Sequence, residues 1–374
     1  MNESVNKPIR ILHMIGSLNI GGSQTMVMNL YRNLNREKIQ FDFIVDRKDE
    51  LFYAQEIEEL GGRIYYFPTF NGKNIFSLKK LWKAFLQEHD NYKAIHFHVR
   101  SYISLIIPTI KKFNIPIISH SHSISSGSDF SAKIKNILQY PIRYQANYFL
   151  ACSDEAGMWL FGKNILRNKN YFTVKNAIDG EKYFFDENLR GSVRSELGLT
   201  ESQYLFGSVG RATQVKNQLF LIEIFYELQK EIDSKLIIIG DGELLPLLKN
   251  RAEELGIDNK CIFPGNIKNV EKYYHAMDSF IFPSLWEGLG ISVVEAETSG
   301  LKCFVSNNVP KSVDIGSNLI NVIDLEHGAS LWADEIVNKL DYNRVSPIKE
   351  FYVSGYDIRS NSKWYENFYT SITI

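Results

Sequence analysis

The sequence predicts two doubly wound, Rossmann-like α/β domains that face each other across a cleft, and three observations favour this fold class. The chain has 374 residues, which suits two domains of ordinary size. Short apolar segments with strand character alternate with segments of helical periodicity. This alternation restarts after Asn176-Ala177-Ile178-Asp179, so the same order of elements occurs twice. Such an order is typical of a mostly parallel sheet covered by helices on both faces.

In the first half of the chain, short runs rich in β-branched and aromatic residues predict six strands. They are expected at 9–15, 41–45, 63–67, 94–99, 115–122 and 148–152. Between them, apolar residues at helical spacing predict four helices. They are expected at 26–34, 56–60, 77–88 and 102–113.

The second half follows the same order, with five predicted strands and four predicted helices. The strands are expected at 204–209, 235–239, 262–265, 279–283 and 303–306, and the helices at 218–230, 244–255, 270–277 and 291–299. We place the first domain at 1–178, the second at 179–352 and a terminal segment with an aromatic-rich helix at 353–374. Because open α/β sheets bind ligands at the carboxyl ends of their strands, the site is expected there.

Composition excludes several classes of protein. The net charge is −1, so the protein has no overall positive charge that would attract nucleic acid, and no nucleic-acid partner is expected. Three distant cysteines without a CxxC pair argue against a disulfide framework or a cysteine zinc site. The first residues lack the apolar core of a signal peptide, and no apolar run approaches the ~20 residues of a membrane span. A cytoplasmic protein is therefore expected.

One segment combines glycines with two acidic residues. Glu287 lies in the loop after a predicted strand, Gly288 and Gly290 follow it, and Glu295 lies one turn into the next predicted helix. Glycines let the backbone approach a ligand, and a helix N-terminus favours a diphosphate. The two carboxylates can accept hydrogen bonds from sugar or ribose hydroxyls. Taken alone, an acidic residue favoured by the helix dipole explains Glu295 equally well.

A second segment, 207–217, carries two cations between a strand and a helix. Arg211 and Lys216 leave the carboxyl end of the predicted sheet together, where they could neutralise a departing pyrophosphate. As an isolated signal, a pair of solvated surface charges would explain them better.

The glycines of the first half do not form a dinucleotide fingerprint. Gly16, Gly21 and Gly22 lie between the first strand and its helix, but their spacing does not match GxGxxG. Asp46 is the nearest acidic residue for an adenine ribose. The interpretation that remains is a tight turn in which Gly21 and Gly22 approach a bound group.

Four histidines end two predicted strands. His96 and His98 lie at the end of one, and His120 and His122 at the end of another. Alternation puts each pair on one face of its strand, so the four rings are expected to converge. A zinc site is the competing hypothesis. No HExxH motif and no acidic residue within two positions supports it, so we predict no metal and histidines that are satisfied or touch substrate.

These stretches, in this order, resemble the retaining GT-B glycosyltransferases of family GT4, above all the bacterial capsular and exopolysaccharide type. The resemblance covers nearly the whole chain. Its most specific element is the E-x7-E pattern from Glu287 to Glu295. Supporting elements are Val-Gly-Arg with Lys-Asn at 209–217, Gly-Asp-Gly-Glu at 240–243, the Asn-Ala-Ile-Asp junction and Gly21-Gly22. Gln24 departs from the family, which often has Glu there.

The resemblance implies a hexosyltransferase that uses UDP-sugar or a similar donor and keeps the anomeric configuration. Glu295 would bind the ribose, Arg211 and Lys216 the diphosphate, and Glu287 the donor sugar. The backbone at Gly288, Leu289 and Gly290 would hold the phosphate, and the stretch with Gly265 and Ile267 would approach the base. His122, with His120 as the second choice, would touch the donor sugar. No cofactor is implied, and the sequence contains no Asp-x-Asp.

The resemblance also implies a glycan acceptor, often lipid-linked, in surface polysaccharide synthesis. Two basic-aromatic segments, at 78–83 and 133–144, suggest peripheral contact with the inner face of the cell membrane. Ordinary amphipathic surface helices explain them equally well. By analogy with the family, the last helix, at about 358–370, crosses back to the first domain; docking on the second domain is the alternative.

Two other functions share this architecture. A UDP-sugar 2-epimerase would bind the same donor but would need acids and bases around the sugar ring. The second is a non-catalytic nucleotide-sugar-binding subunit, and the intact set Arg211, Lys216, Glu287 and Glu295 argues against it. The E-x7-E spacing favours the transferase.

Overall fold

The computed structural model describes residues 7–48, 51–123 and 130–373. The chain forms two compact units. The first contains the residues up to Ala177 together with those from Ile358 onward, and the second contains Ile178–Asp357. Residues 353–357, which the sequence analysis assigns to the terminal segment, therefore lie in the second unit, as does Ile178.

The first unit is built on a parallel sheet of seven strands in the described residues, in the order β3-β2-β1-β4-β5-β6-β7. The strands are β1 Ile9–Met14, β2 Ile39–Val45, β3 Arg63–Tyr66, β4 Tyr92–Phe97, β5 Ile117–Ser121, β6 Tyr148–Ala151 and β7 Tyr171–Thr173. Its helices are α1 Gly22–Asn33, α2 Ala54–Glu59, α3 Ile75–Glu88, α4 Ile103–Ile110, α5 Phe130–Gln139, α6 Ile142–Gln145, α7 Asp154–Phe161 and, at the end of the chain, α15 Ile358–Ser371.

The second unit has a parallel sheet of six strands in the order β10-β9-β8-β11-β12-β13, again counted over the described residues. The strands are β8 Tyr204–Val209, β9 Ser234–Ile239, β10 Cys261–Gly265, β11 Ser279–Phe282, β12 Lys302–Ser306 and β13 Ile320–Ile323. The helices are α8 Glu187–Glu196, α9 Gln218–Glu231, α10 Leu245–Glu254, α11 Glu271–Ala276, α12 Ile291–Thr298, α13 Ala329–Val337 and α14 Ile348–Val353.

Strand periodicity explains why helices cover both faces of the first sheet. Neighbouring residues point to opposite faces, so Ile11 packs in one apolar cluster and Leu12 in another. A third apolar cluster covers one face of the second sheet. Burial of continuous apolar strands on both sides is the main stabilising contribution in such a fold.

The predicted strands and helices of both halves are present, with ends that move by a few residues. Two strands, β7 and β13, were not predicted; they are edge strands of three and four residues. Four helices, α7, α8, α13 and α14, were not predicted either. Short edge strands leave too few alternating positions for periodicity to be visible.

The last helix belongs to the first unit. Buried Tyr365, Phe368 and Tyr369 of α15 pack in the same apolar cluster as strands β1 and β2. Near the end of the chain, the Tyr148 hydroxyl donates a hydrogen bond to the Thr373 carbonyl at 3.0 Å. Among the described residues, none of the helices has the length and apolar character to cross a membrane.

Candidate active site

In the second unit, two polar loops meet at the carboxyl ends of adjacent strands. Lys216 follows β8 and Glu287 follows β11, and these strands are neighbours in the sheet. The Lys216 Nζ donates a hydrogen bond to Glu287 Oε1 at 2.6 Å. The lysine side chain is 20% exposed and the glutamate 9%. This ion pair is therefore shielded from solvent much more than a surface pair.

Backbone contacts hold the two loops together. The Leu285 N–H donates to the Val215 carbonyl at 2.8 Å, and the Asn217 side-chain amide donates to the Pro283 carbonyl at 3.0 Å. The Lys216 ammonium also lies 4.6 Å from the centre of the Phe282 ring. A cation held by a carboxylate and an aromatic face keeps a fixed position, so its charge is preorganised for a ligand.

Glu295 lies one turn into α12, as the sequence predicts, and is buried. The Tyr274 hydroxyl donates to Glu295 Oε2 at 2.7 Å, and Tyr183 is a second hydrogen-bonding partner. Burial raises the pKa of this carboxyl to about 7, against the lowering effect of the two hydroxyls. Near neutral pH the group therefore exists as both acid and carboxylate.

Helix α12 begins at a glycine, which has no side chain to cap its first N–H groups, although the Val293 N–H donates to the Gly290 carbonyl at 2.9 Å. Gly290 is the N-cap residue, with φ 87°, a left-handed conformation that glycine adopts without strain. The N-cap residue makes no side-chain hydrogen bond to this end, and no acidic residue lies in the first turn of α12. Gly288 is partly exposed, whereas Leu289 is buried. A helix N-terminus of this kind favours an anionic group.

The neighbouring strands complete this edge of the sheet. Gly240, with φ 136°, lies so close to the Gly210 carbonyl that a Cβ would come within 2.2 Å of its oxygen, so only glycine fits. The Gly240 N–H donates to the Gly265 carbonyl at 3.0 Å. Ile267 follows β10 and is half-buried, and Arg211 follows β8 and is exposed. Apart from Glu295 in α12 and Gly265 at the end of β10, the candidate residues of the second unit thus lie in loops that follow the carboxyl ends of its strands.

In the first unit, the histidines predicted to converge do so, and a fifth joins them. His13 of β1 pairs with His96 in the sheet. Hydrogen bonds join His13 Nδ1 to His98 Nε2 at 2.9 Å and His98 Nδ1 to His122 Nε2 at 2.8 Å. The His96 Nε2 is 3.2 Å from His120 Nδ1. We call these five residues the histidine cluster.

The histidine cluster is uncharged at neutral pH. Burial lowers the pKa of His13 and His122 to about 3 and that of His96, His98 and His120 well below the ordinary value. Two groups of three rings have ligand atoms within 4.8 Å of one another. They are His13, His96 and His98, and His98, His120 and His122. A metal ion would have to replace hydrogen bonds that these rings already make to each other.

The glycine pair at the start of α1 is less constrained than expected. Gly21 is the N-cap, with φ −176°, which is extended backbone that any residue adopts. A Cβ on Gly22 would meet nothing within 4 Å. The Gln24 side chain donates to the Ser17 hydroxyl at 3.3 Å. The backbone itself therefore does not require glycine here, and close approach to a bound group stays a prediction.

Sequence reasoning missed several residues that shape these sites. Tyr274 and Tyr183 hold Glu295, and Phe282 lies beside Lys216. His13 had a signal, because it lies near the end of a buried strand, as the other four histidines do. Tyr369 of α15, 2.8 Å from His96 Nδ1, had none, because its partner is 273 positions away.

Comparison with known sequences bears on both units. The family model described as "Glycosyltransferase Family 4" matches residues 20–182, and "Glycosyl transferases group 1" matches residues 190–321. EpsF of Bacillus subtilis, named as a glycosyltransferase, is 30% identical over 362 residues, which cover 94% of each chain. The chain belongs to glycosyltransferase family 4. The two matches divide this glycosyltransferase close to the boundary between its two units.

A more distant relative has a more specific name. It is the UDP-Gal:alpha-D-GlcNAc-diphosphoundecaprenol alpha-1,3-galactosyltransferase of Escherichia coli, 26% identical over 322 residues. The alignment covers 82% of this chain and 81% of that protein. Among solved structures, HepE of Anabaena in complex with UDP has a TM-score of 0.77 at 16% identity, covering 98% of this chain and 100% of HepE. The structural likeness shows that the glycosyltransferase has the GT-B fold.

Proposed function

We propose that the protein transfers a hexose or N-acetylhexosamine from a UDP-sugar to a glycan acceptor, with retention of the anomeric configuration. The observation that carries the proposal is the shielded Lys216–Glu287 pair. Glu287 of this pair lies in the loop that leads to the N-terminus of α12, with Glu295 one turn into that helix. Cation, carboxylates and helix N–H groups match the parts of a nucleotide diphosphate sugar.

The diphosphate is assigned to the cations and the helix. Lys216, Arg211 and the N–H groups at the start of α12 offer positive charge and donors near the same strand ends. When the bond to the sugar breaks, negative charge grows on the leaving phosphate. Fixed donors and cations stabilise that charge more than they stabilise the ground state.

The hydroxyl groups of the donor are assigned to the carboxylates. Ionised Glu295 would accept hydrogen bonds from the ribose, and Glu287 from the sugar. The backbone at Gly288–Gly290 would hold the phosphate, and that at Gly265 and Ile267 would approach the base. Tyr274 and Tyr183 keep Glu295 in place, so the ribose meets an acceptor with a single orientation.

Retention follows from attack by the acceptor hydroxyl on the face that the diphosphate leaves. The bond from the anomeric carbon to the acceptor oxygen forms, the bond to the phosphate oxygen breaks, and the acceptor proton passes to the phosphate. This route needs no protein nucleophile. His122 and His120, which remain neutral at pH 7, would contact the donor sugar by hydrogen bonds. The anomeric signal of the product in a proton NMR spectrum tests this point.

We further propose that transfer needs no divalent metal, with Arg211 and Lys216 supplying the charge that a metal would supply. Activity is expected to persist in EDTA and to change little when Mg²⁺ or Mn²⁺ is added. A complete loss of activity in EDTA that Mn²⁺ restores would contradict this assignment.

The names of similar proteins support the choice of donor and acceptor. HepE binds UDP, and the Escherichia coli relative is named for UDP-galactose and a diphosphoundecaprenol-linked acceptor. A UDP-sugar donor and a lipid-linked glycan acceptor, used in the synthesis of a surface polysaccharide, are therefore the combination to test first.

A lipid-linked acceptor would bring the enzyme to a membrane surface, and we propose that α5 and α6 contact it. Ile137 on α5 is 73% exposed and Tyr144 on α6 is 74% exposed, and Lys133 and Lys135 are exposed beside them. Apolar side chains flanked by cations suit an anionic lipid surface. The other basic segment, on α3, is less suitable because Trp82 is completely buried.

The decisive experiment is a panel of nucleotide sugars tested for slow hydrolysis without acceptor, with thermal shift as a second readout. Glu295→Gln is expected to lose donor binding. Glu297→Gln is the matched control, because Glu297 lies on the same helix, is buried and is bonded instead to the Ile315 N–H and Ser317. A new epimer of the sugar would favour the epimerase, and binding without turnover on any acceptor would favour a non-catalytic subunit.

A further inference from the structure

A continuous string of hydrogen bonds runs from the last helix into the histidine cluster. The Tyr369 hydroxyl is 2.8 Å from His96 Nδ1, and His96 Nε2 is 3.2 Å from His120 Nδ1. All three residues are buried. The string ends at His120 Nε2, a buried nitrogen that has no hydrogen-bond partner among the described residues.

The number of protons in this string is fixed by burial. Burial lowers the pKa of His96 and His120 well below the ordinary value, so each ring is neutral and carries a single N–H. Burial also raises the pKa of Tyr369 well above its ordinary value, so the hydroxyl keeps its proton. Two arrangements of the three protons preserve both hydrogen bonds, and they differ in direction.

The tyrosine decides between the two directions. In the first, Tyr369 donates to His96, His96 donates to His120, and His120 carries its proton on Nε2. In the second, His96 donates to the tyrosine oxygen, whose own proton then has no acceptor, because His96 provides the only hydrogen bond to this hydroxyl within the described chain. The first direction leaves one buried group unsatisfied, the His120 Nε2–H, which a ligand oxygen could accept from. The second leaves two, the Tyr369 O–H and the lone pair of His120 Nε2, so the first direction is favoured.

The second string of the cluster lacks such a residue. It runs from His13 through His98 to His122, and its inner end, His13 Nε2, packs among aromatic rings without a partner in the part of the chain described. His122 Nδ1 at the other end is also unpaired there. Either direction leaves one unpaired nitrogen at each end. Nothing in the string itself therefore fixes the proton on His122.

We propose that Tyr369 is a positioning residue that, acting through His96, holds His120 as the tautomer protonated on Nε2, so that His120 offers an N–H donor to an oxygen atom of a bound ligand. The assignment of that oxygen to the donor sugar rests on the proposed function, whereas the assignment of the His120 tautomer does not. The last helix would then do more than cover the sheet, because it supplies the hydroxyl that sets the direction of the string.

Two tyrosines on α15 make a matched test. Tyr369→Phe removes the hydroxyl that donates to His96, and Tyr365→Phe removes a buried hydroxyl that has no hydrogen-bond partner in the described chain. Imidazole ¹⁵N NMR of histidine-labelled enzyme reports which nitrogen carries the proton, with His120 assigned through His120→Asn. The wild type and Tyr365→Phe are expected to show His120 protonated on Nε2. Tyr369→Phe is expected to show a mixture of tautomers, with His122 unchanged.

Kinetics extend the test to the proposed function. Tyr369→Phe is expected to lower kcat/KM about fivefold to thirtyfold, the effect of one hydrogen bond, while Tyr365→Phe keeps the wild-type value. If no donor is turned over, the proposed function fails, but the NMR result on the tautomer still stands. If turnover is normal but His120 is not protonated on Nε2, only the positioning role of Tyr369 fails.

Three results would overturn the proposal. The first is a wild-type spectrum with His120 protonated on Nδ1, which decides the matter even if Tyr369→Phe does not fold. The second is a Tyr369→Phe spectrum identical to that of the wild type. The third is tight, stoichiometric zinc binding that removes the Nε2 proton, since metal binding to His98, His120 and His122 needs a lone pair on each ring.

Discussion

The two units carry polar groups of opposite character at the carboxyl ends of their sheets. The first unit has five histidines, four of them buried and His122 partly exposed, and a buried tyrosine, all uncharged at neutral pH and joined by hydrogen bonds. The second unit has the Lys216–Glu287 ion pair and, on the helix that follows the Glu287 loop, the buried Glu295, whose pKa burial raises to about 7.

The difference shows two ways of keeping polar groups out of water. An imidazole can lose its proton, so burial costs the first unit only a change in pKa. The lysine that we propose to neutralise phosphate would have to keep its charge, and the second unit holds it against a carboxylate and leaves it partly exposed. The same contrast predicts opposite responses of the two units to pH.

The largest expected effect is acid unfolding of the first unit. The histidine cluster stays neutral in the fold, while an unfolded histidine takes up a proton below pH 6.5. The free energy of unfolding of the first unit therefore has its full value above pH 6.5. Below that pH it falls by about 1.4 kcal/mol per pH unit for each histidine. Hydrogen exchange followed by mass spectrometry, corrected for the intrinsic rate, should show β1, β4 and β5 losing protection before β8 and β11.

A pair of variants checks that the cluster is the cause. His13→Asn should make the pH dependence of unfolding shallower by about one proton. His327→Asn should leave it unchanged, because this ring is exposed on the second unit. Simultaneous loss of protection in both units below pH 6.5 would contradict the comparison.

The next effect concerns the charge that the second unit keeps. Lys216→Met is expected to lower kcat about 100-fold to 1,000-fold, because a fixed cation no longer faces the leaving phosphate. Lys230→Met is a close control, since Lys230 also pairs with a glutamate, at 2.7 Å, and lies 4.2 Å from an aromatic ring centre, but is on the surface. Equal losses in both variants, measured by release of UDP, would remove Lys216 from the site.

A smaller effect concerns two buried carboxyl groups of the second unit, whose contribution to stability has the opposite pH dependence to that of the histidines. Glu295 and Glu297 have their pKa values raised from 4.5 to about 7, mainly by burial. Because the fold binds these protons more tightly than the unfolded chain does, each group adds about 3 kcal/mol to the free energy of unfolding below pH 4.5. This contribution is lost as the pH rises through 7. Glu295→Gln should flatten this part of the curve in urea unfolding between pH 5 and 8. An unchanged slope would mean that Glu295 is ionised throughout.

The smallest effect is expected at the membrane surface. Replacing Ile137 and Tyr144 together by serine should weaken sedimentation with anionic vesicles about tenfold, because the two apolar side chains no longer enter the lipid. Val353→Ser, which changes an apolar side chain that is as exposed but lies on the second unit, should bind like the wild type. Binding of the wild type that salt does not weaken, or no binding, would end the membrane proposal.

Much of the fold was predictable because its elements are long and strongly patterned. Strands such as β9, with four successive buried apolar residues, can be identified from composition alone. The predicted positions of Lys216, Glu287 and Glu295 at strand and helix ends also agree with the structure. The three-residue β7 was missed because it is too short to show a period.

The sequence alone determined the βα order, the parallel sheets and the loops that carry the charged residues, because these depend on neighbours in the chain. Only the tertiary structure decided that Lys216 pairs with Glu287, that two tyrosines hold Glu295, and that Tyr369 reaches His96 across 273 positions. Hydrogen-bond direction and protonation depend on burial and on distant partners. No local pattern encodes them, and they appear only when the chain is folded.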